Sequence, residues 1–211
     1  ALAFALGAGG VVLLVTSALG GVRETVVLFG IAMLFLCEAA TALLMYLADA
    51  EAVQQIVFWN IGSLTKAGWV ELALVSLVFT LVFPFSLRNV WALTLLRGGE
   101  AHARAIGVDV ARLRRHAILR VSVLTAFAVC FVGSIGFVGL LGPHMARLVI
   151  GEDHRFLVPA SALGGALLLS VASWLSKSLL PGVVIPVATL TAMAGVPFFL
   201  LLIMLGRRAA R

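Results

Sequence analysis

The chain has 211 residues, of which 63% are hydrophobic and only 11% charged, with a formal net charge of +6 and a mean hydropathy of +1.18. Such values exclude a soluble globular domain and point to a polytopic α-helical membrane protein, with room for about six or seven spans of roughly 20 residues each. The surplus arginine falls between apolar runs with no aromatic-interleaved basic face, so it reports topology rather than nucleic-acid binding.

Ala1 already lies inside an apolar run, with no charged n-region and no small-residue cleavage site before it. The stretch is therefore not read as a signal peptide, and the chain reads as the C-terminal portion of a longer polypeptide. Span one covers residues 1–19, followed by a short connection, 20–25, that carries Arg23. Span two, about 26–48, is interrupted by Glu38. An ionisable residue in mid-span is either a functional group facing protein or water or a protonated packing residue. Residues 49–68 are too polar to span, but AVQQIVFWNIGSL places apolar residues at helical spacing, with Trp59 and then Trp69 as interface anchors. That pattern predicts a short helix lying in the membrane surface. Span three, 70–87, contains Pro84 near its end.

Leu95 to Arg120, LLRGGEAHARAIGVDVARLRRHAILR, is the one long polar interval, with six arginines against Glu100 and Asp109. Each arginine at the centre of a bilayer costs on the order of 3 kcal/mol on insertion scales, so the segment is a loop on one side of the membrane. Glu100 to Ile106 reads as a short helix with Gly98 and Gly99 before it and Gly107 as its stop, and Asp109 stands where it caps a following turn from Val110. Span four covers 117–132. Gly133, Gly136, Gly139 and Gly142 recur every third residue, which predicts a short, closely packed fifth span over 135–150. His144 beside Pro143 is a ligand or relay, or else an imidazole bonded across a helix interface. GEDHR is a charged turn, 156–176 is span six, and 183–204 is a seventh span broken by Pro186, Gly195 and Pro197. A broken helix lines a cavity or is buried in protein, which makes this one a pathway candidate. Cys37 and Cys130 both fall inside apolar runs and read as small buried hydrophobes without a disulfide.

With seven spans alternating sides, all of the 15 basic residues except Lys66 and Lys177 fall on one face, which places the 95–120 loop and the carboxyl end in the cytoplasm. No GxxxxGK[ST] occurs, so the chain has no phosphate cradle for ATP. No HExxH and no nucleophile with a base at helical spacing suggests an intramembrane enzyme. A proton-driven secondary transporter with Glu38 as carrier is the alternative reading.

The loop GGEAHARAIGVDVARLRR, the segment GSIGFVGLLGPHMARLVIGEDHRFLVPASALGGALLL, the stretch FWNIGSL with Trp69, and IPVATLTAMAGVPFFLLL resemble, in this order and spacing, the FecCD-type permeases. These are membrane subunits of binding-protein-dependent ABC importers for iron–siderophore complexes, haem and vitamin B12. The resemblance implies an all-α bundle of ten transmembrane helices per subunit, of which this chain would hold the fourth to tenth. It thus implies a single permease domain over 1–211, incomplete at its N-terminus, with a cytoplasmic coupling loop at 95–116. Implied partners are the lipid membrane, a second permease subunit, two cytoplasmic ATPase subunits that hold ATP and Mg, and a periplasmic substrate-binding protein. No cofactor or metal on this chain and no nucleic acid is implied. Gly99, Glu100, His102, Ala103, Arg104, Ile106 and Gly107 match the segment that docks on the ATPase, with Ala103 and Gly107 allowing close approach. Glu38, Gly139, Pro143, His144, Pro186, Gly195 and Pro197 are expected along the translocation path, and Lys66 and Lys177 at the binding-protein face. Gly142, Ser173, Val184 and Ala188 depart from the family pattern, which has a larger apolar residue, Asp, Glu and Gly there.

Overall fold

The computed structural model describes residues 2–18, 23–180 and 184–209, and these are helical with no strand among them. Seven apolar helices stand where spans are expected: α1 (Leu2–Ala18), α2 (Arg23–Leu47), α4 (Trp69–Arg88), α7 (Val110–Val132), α8 (Val138–Ile150), α9 (His154–Ser178) and α10 (Val187–Ala209). Shorter helices lie between them: α3 (Ala50–Asn60), α5 (Val90–Leu95) and α6 (Glu100–Ala105). By length and composition α2, α4, α7 and α9 can each cross a membrane, and α1, α8 and α10 supply shorter apolar stretches. Residues 20–22 of the 20–25 connection, Pro181, Val183, Arg211 and the Lys66 side chain lie outside the described residues.

The chain forms two compact units, residues 1–58 with 68–131 and residues 59–67 with 132–211. In the first, burial is confined to small and medium side chains such as Val90, Ala103, Val110, Leu113 and Ala126. None of the apolar windows of α2 and α4 is buried. Helices apolar all round and uncovered by their own chain require lipid or another protein around them. Cys37, expected to be buried, is exposed on α2 for this reason, whereas Cys130 is half-buried; both are free thiols. The Glu71 carboxylate accepts from the Gly68 N–H at 2.9 Å, the backbone half of a capping box that starts α4. Span four is longer than expected. The capping turn after Asp109 runs on without interruption into the apolar part of α7, because Asp109 Oδ1 accepts from the Arg112 N–H at 2.9 Å and satisfies the first turn.

In the second unit α8 packs on α9 through glycine. A Cβ on Gly142 would stand 3.1 Å from the Ser161 carbonyl oxygen and 3.2 Å from the Gly165 nitrogen. This close approach leaves room for no more than glycine at position 142. The threefold glycine recurrence is not a packing stripe, however. Gly133 and Gly136 precede α8, and a Cβ on Gly139 would meet nothing within 4 Å. Asp153 caps α9 through Oδ1, which accepts from the Arg155 N–H at 3.0 Å, and the hydrogen bonds from Arg155 hold its carboxyl below the usual carboxylate range. Ser176, only 1% exposed, binds Ile185 twice: its hydroxyl donates to the Ile185 carbonyl, and its own carbonyl accepts from the Ile185 N–H at 3.1 Å.

The seventh span is not broken. α10 runs continuously through Gly195 and Pro197, and Pro186 stands just before its first turn. A proline removes one donor from a helix, but in a low-dielectric surrounding the remaining intrahelical bonds have no competing water, so the helix persists. Gly195 has a different role. Phe137, at the entry to α8, is the one described non-glycine residue with positive φ, at 67°, and its ring lies where a Cβ on residue 195 would come within 2.7 Å of it.

Candidate functional site

The polar interval between α4 and α7 folds into two short helices and a turn. Leu96–Gly98 closes α5 as a single 3-10 turn, and Gly99, at φ 101°, turns the chain into α6. The end of α6 is a Schellman closure: the Gly107 N–H reaches the Arg104 carbonyl at 3.0 Å, and the Val108 N–H reaches that of Ala103 at 3.0 Å. Gly107 sits at φ 92°, in the left-handed region where a side chain is strained, so the stop signal in the sequence is a backbone requirement.

Glu100 opens α6 and binds two arginines. Arg104, one turn on, donates to its Oε2 at 3.2 Å, and Arg114 of α7 pairs with its Oε1. The Glu100–Arg104 pair is exposed and contributes only about 0.3–0.5 kcal/mol. Arg114, whose side chain is 27% exposed, ties α6 to the first turns of α7. His102 lies against Gly98, where a Cβ would come within 2.9 Å of its ring. Among the α6 residues only Ala103 is buried, at 0% exposure, while His102, Arg104 and Ile106 face outward. Ala103, expected to allow close approach, thus packs inside its own chain, and its neighbours make the outer face of the helix.

The other expected residues are dispersed. Glu38 is exposed on α2 in the first unit. In the second unit Gly139 and Pro197 are exposed, Pro143 and Pro186 half-buried, Gly195 buried, and Lys177 exposed in the last turn of α9. His144 does not bond across a helix interface. Its Nδ1 lies 2.8 Å from the Leu140 carbonyl of its own helix, and its ring meets Phe199 of α10 edge-on with centroids 6.1 Å apart. Sequence reasoning missed a joint within the second unit, where residues 60–63 meet residues 132–134. The Ser63 N–H donates to the Val132 carbonyl at 2.8 Å, and Ser134 Oγ donates to the Asn60 carbonyl at 2.7 Å. Gly62 and Gly133, both at positive φ, let these strands of backbone meet. The repeated Gly-Ser pairs, 62–63 and 133–134, were the available signal.

These features define a polytopic helical membrane protein with a small structured helix presented between two spans. The chain belongs to the FecCD transport family, whose model matches residues 1–205. Among its relatives, the hemin transport system permease protein HmuU of Yersinia pestis is 39% identical over 177 residues, 84% of this chain and 53% of that protein. The Fe(3+) dicitrate transport system permease protein FecD of Escherichia coli is 37% identical over 202 residues, 96% of this chain and 63% of the relative. A solved structure described as an inward-facing conformation of a metal-chelate type ABC transporter superposes with a TM-score of 0.86 at 34% identity, covering 92% of this chain and 63% of that one. The chain thus spans less than two thirds of the length of each of these relatives.

Proposed function

We propose that the chain is the larger part of a permease subunit of an ABC importer, which carries an iron–siderophore, haem or cobalamin complex across the inner membrane. ATP hydrolysis in partner subunits supplies the work. Family membership and the printed functions of the relatives support this reading. The observation that carries it is α6: a helix with one inward residue, Ala103, its other faces open, and a charged tie to a span through Glu100 and Arg114.

In this mechanism two cytoplasmic ATPase subunits close on nucleotide and displace α6. The Glu100–Arg114 pair and the short 106–109 turn pass the displacement to α7, and the bundle shifts its opening from one side of the membrane to the other. A second permease subunit, identical or paralogous, completes the path. A periplasmic binding protein delivers the complex on the face that carries Lys66 and Lys177, and the carboxyl end lies in the cytoplasm. The chemistry of ATP and Mg belongs to the partners, and this chain acts as a transport component without an ATPase site.

The test uses the full-length subunit co-reconstituted with its ATPase and binding protein in vesicles. Ile106, 54% exposed on the open face of α6, is replaced by glutamate, which puts a charge where an apolar contact is expected. Uptake should fall about tenfold or more, as for loss of an interface anchor, while the subunit still inserts and folds. Unchanged uptake overturns the role of α6. Uptake driven by a proton gradient without the ATPase, and lost in Glu38→Gln, replaces the importer reading with a proton-coupled carrier.

A further inference from the structure

Within the first unit, α4 and α7 enclose a groove of about 460 Å³ with two kinds of wall. Leu81, Phe85 and Leu119 make it apolar along one side, and Arg88, His116 and Arg120 gather at one end. The two arginines are used differently. Arg120 donates from Nε to the His116 carbonyl at 2.9 Å and from Nη1 to the Phe85 carbonyl. Asn89, its amide oxygen turned inward, accepts from Arg120 Nη2 at 2.8 Å. The Asn89 N–H bonds to the Ser86 carbonyl at 3.2 Å, one residue short of a regular turn, and Arg120 serves the Phe85 carbonyl at the helix end. Arg88 has no comparable set of carbonyls: its guanidinium lies over the Phe85 ring, 5.5 Å from the centroid. Among the described residues no carboxylate forms an ion pair with either arginine.

We propose that this groove is a binding site for an anionic phospholipid, with its phosphate at Arg88, beside Arg120 and His116, and an acyl chain along Leu81, Phe85 and Leu119. Charge complementarity selects the head: the lining holds two permanent cations and no acid. Exposure selects the tail, since this chain leaves Leu81 60% and Phe85 56% exposed. Position agrees with both, because the candidate span Trp69–Arg88 ends at the basic end of the groove, at the depth where lipid phosphates stand. A soluble phosphate would leave the apolar wall unfilled, and a neutral lipid would leave the guanidinium groups without a counter-charge.

Native mass spectrometry of the full-length subunit in mild detergent tests the site, with phosphatidylglycerol as the probe and phosphatidylcholine and glycerol 3-phosphate as comparisons. Phosphatidylglycerol should be retained in preference to phosphatidylcholine, and glycerol 3-phosphate should not displace it. Arg88→Gln should weaken retention about fivefold, the effect of one interfacial basic residue, and Arg88→Lys should restore most of it. Arg120 is left intact because it closes the end of α4. Equal retention of the two lipids, an unaltered Arg88→Gln variant, or displacement by glycerol 3-phosphate overturns the proposal. So does crosslinking from Leu119→Cys to a protein segment rather than to a photoactivatable lipid, which would assign the groove to another part of the assembly.

Discussion

Ala103 and Gly107 lie four positions apart, about one helical turn, and are constrained for different reasons. Ala103 is buried inside the loop, so Ala103→Leu overfills a packed spot and costs about 1–3 kcal/mol. A Cβ on Gly107 would meet nothing within 4 Å, so Gly107→Val fails through its backbone alone, at φ 92°, by about 1–2 kcal/mol. Limited proteolysis of the full-length subunit in detergent separates the two. Cleavage near residue 105 should rise for both variants, and for Gly107→Asn, which tolerates the left-handed region, it should stay near wild type. Glycine and the Asp109 cap were legible in the sequence because their reasons are local. The inward turn of Ala103 was not, since an alanine reads alike on either face of a helix. His144 was hidden in the same way: nothing in a Pro-His pair tells whether the imidazole bonds to its own helix or to the next.

Helix positions were well marked and helix continuity was not. Seven apolar runs became seven helices, shifted by a few residues, because apolar length is a direct statement about burial in hydrocarbon. Gly195 and Pro197 misled because their helix-breaking tendency is measured in water, where a freed carbonyl finds solvent. Inside α10 the penalty is smaller, and Gly195 makes room for the Phe137 ring. The prediction at this scale is therefore specific. Gly195→Ala should destabilise the second unit by about 1–3 kcal/mol through overpacking on Phe137, read as a lower temperature of aggregation for the purified subunit. Combining it with Phe137→Ala, which removes that ring, should recover part of the loss. If the double variant is no better than the additive sum, the contact does not carry the effect.

For the whole molecule, the charge pattern carries more information than any motif, because the sidedness of the arginines constrains every span at once. It forecasts that a cysteine placed at Ala101, in a background with Cys37 and Cys130 changed to serine, reacts with a membrane-impermeant maleimide only after the cell is opened. A cysteine at Lys177 should react from the outside. The reverse pattern would invert the proposed topology and remove α6 from the reach of a cytoplasmic partner. Long-range joins, such as Ser63 to Val132 and Ser134 to Asn60, left no trace in composition or period, since each depends on two distant Gly-Ser pairs meeting. What surrounds the bare faces of α2 and α4 is likewise a property of the assembly rather than of this chain's own pattern.

The Phe137 ring seated against Gly195 has a kinematic consequence. It works as a key in a slot, so the mouth of α8 and the middle of α10 cannot slide past one another without first ejecting an aromatic side chain. Any displacement of one against the other must carry both along, so this pair of elements is held as a single block.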